Sequence, residues 1–185
     1  MVLKKQISSI FDENRRLNSL VKEQCNSSIL DLIKYAKITM KKNGKIILFG
    51  NGGSAADAQH IAAEFMGKFK NKKRFLPAIS LTTNTSTLSA IGNDFGFEQV
   101  FAIQIKALSS KNDLVIGIST SGNSKNVING IKEAKKNGCK TVALTGSSWG
   151  VLSKISDIAI KIPSKDTQRV QEFHILIGHI LCEFI

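Results

Sequence analysis

Three stretches of the chain carry residue types that could do chemistry. The first is Phe49-Gly50-Asn51-Gly52-Gly53-Ser54-Ala55-Ala56-Asp57-Ala58-Gln59-His60-Ile61-Ala62-Ala63-Glu64. Its glycines permit a tight turn and close backbone approach. Ser54 and Asp57 fall where helix-starting residues belong, and residues 55–66 are rich in helix formers. The apolar run Lys45-Ile46-Ile47-Leu48-Phe49 just before them reads as a buried parallel strand. A strand, a glycine turn and a helix N-terminus together make an anion site, because unpaired N–H groups and the helix dipole both favour negative charge. His60 and Glu64, four apart, share a face of the same helix. They could move protons or hold a metal one to two turns beyond the bound anion.

The second stretch is Ser119-Thr120-Ser121-Gly122-Asn123-Ser124. A helix cap needs one such residue, whereas here four hydroxyls fall in six residues. That surplus points to phosphate held by hydroxyls and N–H groups. No GxxxxGK[ST] lysine is present, so nucleotide hydrolysis is not indicated. The third stretch is Gln171-Glu172-Phe173-His174, with His179 further along a final helix. At helical spacing Glu172 and His179 align closely, Gln171 and His179 lie on neighbouring faces, and His174 points elsewhere. Periodicity leaves open whether Gln171 or Glu172 is the companion of His179. Each stretch alone has an ordinary reading: a connection, a helix cap, a surface pair, a core histidine.

The surrounding elements must bring these stretches together. Helical spacing predicts two amphipathic helices over residues 4–21 and 27–40, the second ended by Asn43-Gly44. Residues 67–74 read as a polar, basic loop. Further strands are expected over 77–81, 113–118, 141–144 and 158–162. Helices are expected over 84–91, broken at Gly92-Asn93-Asp94, then over 97–108, 125–137, 150–155 and from Asp166 to the end. The alternation implies an α/β fold, a three-layer, doubly wound, five-stranded parallel sheet of flavodoxin-like type with two N-terminal helices. Residues 1–185 form one expected domain, with 1–42 as a helical pair suited to an oligomer interface and 43–185 as the α/β core. Both glycine–serine turns follow strands, so both fall on one edge of the sheet.

Composition narrows the function classes. The 185 residues carry a formal net charge of +12. The lysines are scattered (Lys4, Lys5, Lys41, Lys42, Lys72, Lys73, Lys135, Lys136) and aromatics are few. That pattern reads as a solvated face and not as a nucleic-acid surface. Cys25, Cys139 and Cys182 are far apart and lack CxxC spacing, which suggests neither a zinc knuckle nor a disulfide framework. A reducing compartment fits. Met1 is followed by a polar segment with no apolar leader, and no run is long enough to span a bilayer. A cytoplasmic protein with no nucleic-acid or membrane partner is expected.

Four motifs in order, Gly50-Asn51-Gly52-Gly53-Ser54, Gly92-Asn93-Asp94-Phe95-Gly96-Phe97, residues 119–124 and Arg169-Val170-Gln171-Glu172-Phe173-His174, closely resemble the sugar isomerase (SIS) fold. More narrowly they resemble the phosphoheptose isomerases, also called sedoheptulose 7-phosphate isomerases, over nearly the whole chain. The resemblance implies a cytoplasmic homotetramer that interconverts sedoheptulose 7-phosphate and D-glycero-D-manno-heptose 7-phosphate, the entry to heptose for lipopolysaccharide, capsule or related glycans. It implies Glu64 and His179 as catalytic residues. It implies substrate contacts at Asn51, Gly52, Gly53, Ser54, Glu64, Asn93, Asp94, Ser119, Thr120, Ser121, Ser124 and Gln171. Some members bind zinc, at positions matching His60, Glu64, Gln171 and His179, and no nucleotide cofactor is implied. The resemblance, not spacing, selects Gln171 over Glu172. Two positions depart from many relatives: Lys68 stands where Arg is common, which keeps charge but loses the bidentate fork, and Gln168 stands where Asp occurs. The rival reading is a non-catalytic binding protein of the DnaA initiator-associating type, which lacks the glutamate and histidine that this chain has. A sugar-phosphate sensor is a third class, and no helix-turn-helix segment is evident for it.

Overall fold

The computed structural model describes residues 2–68, 70, 75–148 and 150–185. Five strands form one parallel sheet: β1 (Ile46–Gly50), β2 (Ala78–Ser80), β3 (Leu114–Ser119), β4 (Lys140–Thr145) and β5 (Ile158–Lys161), in the order β2-β1-β3-β4-β5. The helices are α1 (Val2–Lys41), α2 (Gly53–Met66), α3 (Thr85–Phe95), α4 (Val100–Leu108), α5 (Lys125–Lys136), α6 (Val151–Ile155) and α7 (Thr167–Phe184). Strands β1 and β3 are buried at every position, as apolar runs covered on both faces must be. Their side chains alternate between two cores. Ile46, Leu48 and Ile116 face α1, α2 and α7, while Ile47, Phe49 and Val115 face α4 and α5. The expected three-layer sheet is therefore present.

The two leading helices are one helix of 40 residues. No glycine or proline interrupts residues 22–26, and one buried stripe (Leu17, Val21, Cys25, Ile29, Leu32, Ala36) runs through the polar stretch without changing phase. At 1.5 Å per residue the helix is about 60 Å long. It stops at Asn43, whose φ of 54° is left-handed. Nor is the third helix broken at Gly92-Asn93-Asp94. It is started by Asn84, whose side chain accepts from the Thr87 N–H at 2.9 Å, and it continues to Phe95. Its terminator is Gly96, at φ 88°, because a single internal glycine weakens a helix without ending it. The expected helix over 97–108 is a 3-10 turn, Phe97–Gln99, followed by α4. Of the expected basic loop at 67–74, residues 69 and 71–74, with Lys72 and Lys73, lie outside the described residues.

The strand order reverses between β1 and β3. From β1 the chain moves outward to β2, then returns to the other side of β1 as β3. A crevice opens at such a point beyond the carboxyl ends of the strands. The register pairs Gly50 with Ile118, so the glycine turn and the serine turn leave the sheet side by side.

Candidate active site

The crevice is a cavity of about 300 Å3 lined by Asn51, Gly52, Gly53, Ser54, Ile118, Ser119, Thr120, Ser124, Thr167 and Gln171. Close packing makes its floor. A Cβ on Gly50 would lie 2.7 Å from the Ser54 Cβ and 2.8 Å from the Ile118 oxygen. Gly52 turns the chain at φ 54°, ψ −122°, a conformation costly for any residue with a Cβ. Helix α2 then starts at Gly53. Ser54 is consequently not the cap expected of it: it sits inside the first turn, 4% exposed.

Opposite, the hydroxyls of Ser119 and Ser124 are 3.0 Å apart and those of Ser119 and Ser121 are 3.4 Å apart. Ser121 also accepts from the Asn123 N–H at 3.2 Å. Ser124 holds the N-cap position of α5 but its side chain makes no capping bond. Its hydroxyl is turned to Ser119 instead of the helix it precedes. Hydroxyls and the starts of two helices, α2 and α5, thus converge on one space whose lining, among the described residues, includes no Lys or Arg. Such a space suits a phosphate.

About two turns further along α2 stands a second cluster. His60 Nε2 lies 3.2 Å from Glu64 Oε1 and 3.4 Å from His179 Nε2. The two imidazoles meet edge to face, with centroids 5.0 Å apart. One ligand-capable atom from each of His60, Glu64 and His179 lies within 4.8 Å of the others. Helices α2 and α7 can approach this closely because Gly178 faces Ile61: a Cβ there would lie 2.4 Å from the Ile61 Cγ1. A glycine inside a helix costs about 1 kcal/mol relative to alanine, and here it gives room for a close contact. That cost was the only sequence signal for Gly178.

Gln171 and Glu172 part company. The Gln171 amide lies against Gly53, where a Cβ would be 2.4 Å from its Nε2. Glu172 is turned away toward α1: it pairs with Arg169 and accepts from Asn14 Nδ2 at 2.8 Å. Gln171 stands at the phosphate end of the cleft, eight residues and about 12 Å along α7 from His179. Asn93 and Asp94, bonded to each other at 2.8 Å, are exposed in the last turn of α3 and do not line the cavity. Lys68 and Gln168 are exposed at helix ends. His174 is buried and neutral, its pKa lowered to about 4 by burial. One residue of the site escaped sequence reasoning altogether. Asn126, 4% exposed, is bonded to Asn51 from 75 positions away, and no local pattern marks it.

The SIS domain family model matches residues 10–146. The phosphoheptose isomerase of Aliarcobacter butzleri is 57% identical over 152 residues, 82% of this chain and 80% of that one. That of Aquifex aeolicus is 48% identical over 97% of this chain and 94% of that one. The solved structure of the phosphoheptose isomerase from Neisseria gonorrhoeae superposes with a TM-score of 0.92 at 39% identity, covering 98% and 97% of the two chains. The chain belongs to the phosphoheptose isomerases.

As a phosphoheptose isomerase it is an aldose–ketose isomerase, and the cleft has the parts such chemistry needs: an anion holder, a carboxylate and an imidazole. The donor set of the second cluster also fits a metal. The ligand atoms of two imidazoles and a carboxylate lie within 4.8 Å of one another, close enough for their lone pairs to converge on one cation. Two histidines and one glutamate are a ligand set of catalytic rather than structural zinc sites. Among the described residues no helix is long and apolar enough to cross a membrane.

Proposed function

We propose that this phosphoheptose isomerase interconverts sedoheptulose 7-phosphate and D-glycero-D-manno-heptose 7-phosphate, the first step of heptose supply for lipopolysaccharide or capsule. The observation that carries the reading is the spacing of the two clusters on one helix. Gly53 and His60 are seven residues, about 10 Å, apart along α2. That span matches an extended seven-carbon chain with its phosphate at one end and its reacting carbons at the other.

In this reading Ser119, Thr120, Ser121 and Ser124, with the N–H groups at the starts of α2 and α5, hold the phosphate. Asn51, Gly52, Gly53, Ser54 and Gln171 form the opposite wall. Glu64 takes the proton from the carbon next to the carbonyl. The C–H electron pair becomes the C=C bond of an enediolate and the carbonyl pair moves onto oxygen. His179 carries a proton between the two oxygens, and Glu64 returns its proton to the neighbouring carbon. A carboxylate and an imidazole each suit such a step near neutral pH, and each contributes about 10²–10⁴-fold. Zinc is the proposed metal, and His60, Glu64 and His179 would hold it. Gln171, which lies against Gly53 at the phosphate end, is supported as a fourth ligand by its motif alone. When bound, the metal would supply Lewis-acid stabilisation of the enediolate oxygens. Asn93 and Asp94 are supported as substrate contacts by their motif alone.

The chain is also proposed to be one SIS unit that assembles as a homotetramer in the cytoplasm. Phe11 is 67% exposed, and Val2, Leu3, Ile7 and Ile10 are exposed with it on the first half of α1. An apolar groove of about 460 Å3, lined in part by Val21, Ile29, Ile33, Phe173 and Leu176, runs between α1 and α7. Both suit a second copy of the chain, and light scattering on the purified protein should give four times the chain mass. The functional test is an NMR assay with sedoheptulose 7-phosphate, with and without zinc. An aldose 7-phosphate is expected, and no aldose under either condition would remove the substrate assignment.

A further inference from the structure

The cradle has two walls from separate loops, and one side-chain pair joins them. Asn51 Nδ2 donates to Asn126 Oδ1 at 2.9 Å, and Asn126 Nδ2 donates back to Asn51 Oδ1 at 2.9 Å. The Val127 N–H also donates to Asn126 Oδ1 at 2.9 Å. This third bond identifies the oxygen end of the Asn126 amide, because a backbone N–H needs an acceptor. It therefore also identifies which end of the Asn51 amide is nitrogen. One N–H of Asn51 is spent on Asn126. The other is left for the cavity that Asn51 lines.

We propose that Asn126 is a positioning residue for substrate binding: it ties the first turn of α5 to the turn after β1 and orients the Asn51 amide so that its second N–H donates to the phosphate. Asn126 touches no substrate atom itself. The role deepens the phosphate-cradle reading and rests on it. A doubly hydrogen-bonded pair holds this orientation more firmly than a solvated asparagine would, because leaving the buried Asn126 amide unpaired is costly.

Calorimetric titration with inorganic phosphate, alongside steady-state kinetics, tests this on Asn126→Ala and Asn126→Asp. In N126A the phosphate dissociation constant and the KM should rise together, about tenfold or more, as expected for loss of a hydrogen bond to a charged group. The kcat should fall less than threefold. In N126D a protonated carboxyl mimics the asparagine, donating to Asn51 Oδ1, whereas the carboxylate cannot. Its KM relative to wild type should therefore fall as pH is lowered, and no such fall is expected for N126A. A folded N126A that binds phosphate as wild type does overturns the proposal. If N126A does not fold, a pH-independent KM ratio for N126D overturns it. Wild type that binds no phosphate overturns the cradle and this role with it, whereas phosphate binding equal in wild type and variant overturns the role alone.

Discussion

The two ends of the cleft are built on opposite plans. The phosphate end is made mostly of backbone and short side chains from two turns on adjacent strands in register, with Thr167 and Gln171 of α7 closing it. The reacting end is made of long titratable side chains from two helices, with His60 and His179 separated by 119 positions in the chain. Sheet register fixes the first, and helix packing fixes the second. Substitutions at the two ends should therefore leave different kinetic signatures, affinity at one and turnover at the other, although α2 runs through both.

The largest effect expected is at the reacting end. Glu64→Gln keeps the shape and removes the base, and should lower kcat by about 10²–10⁴-fold, with His179→Gln in the same range. Calorimetry should show phosphate affinity unchanged in both. If phosphate affinity falls in step with turnover, the two ends are not separable. Wild-type turnover in E64Q would show that Glu64 is not the base. At the other end, Ser124→Ala removes a hydroxyl that its own helix does not use. Its KM should rise about 10–100-fold, the range for a hydrogen bond to a charged group, with a smaller change in kcat. A pure kcat effect would contradict the division.

A third substitution acts on the packing that joins α2 to α7. Gly178→Ala places a Cβ 2.4 Å from the Ile61 Cγ1, so the helices must separate or Ile61 must move. Overpacking of this kind costs about 1–3 kcal/mol, read as a lower melting temperature. Turnover and zinc affinity should fall because His179 is carried away from His60, while phosphate affinity holds. Full activity at reduced stability would show that Ile61 yields and the histidines do not depend on that contact.

The same contrast explains what could be read from the residues alone. The five strands and the serine turn are local patterns, and parallel strand order then brings the two turns to one edge. The His60–Glu64 pair follows from helical spacing. His179 as their partner, and Gln171 over Glu172, came only from a family resemblance, because periodicity on α7 says nothing of which face meets α2. Gly178 lets α7 approach α2 at Ile61, and Arg169 and Asn14 turn Glu172 toward α1; the first and the Asn14 contact join residues distant in sequence. Asn126 is the same case: an asparagine in the first turn of a helix is commonplace until its partner is known. The single long α1 was misjudged for a different reason. Its polar stretch interrupts the apparent hydrophobicity but supplies nothing that stops a helix.

The smallest effect expected tests the stretch between the two ends. Asp57 lies on α2 one turn beyond Gly53 and one turn before His60. Its Oδ2 is buried with no hydrogen-bond partner among the described residues. Burial pushes its carboxyl up from the ordinary 3.8 to about 6, with His60 pulling the other way. Below pH 3.8 the group is protonated folded or unfolded and costs nothing. Between 3.8 and 6 the folded state keeps a proton that the unfolded chain has released, so stability falls as pH rises through this window. Above 6 the penalty is complete. Asp57→Asn should therefore raise the melting temperature at pH 7.5, by about 2–4 °C for each kcal/mol relieved. The gain should shrink as pH falls from 6 and vanish below about 4. A loss of stability at pH 7.5 would mean that attraction to the imidazoles outweighs desolvation, which would move Asp57 out of the neutral middle of the cleft and into the reacting cluster.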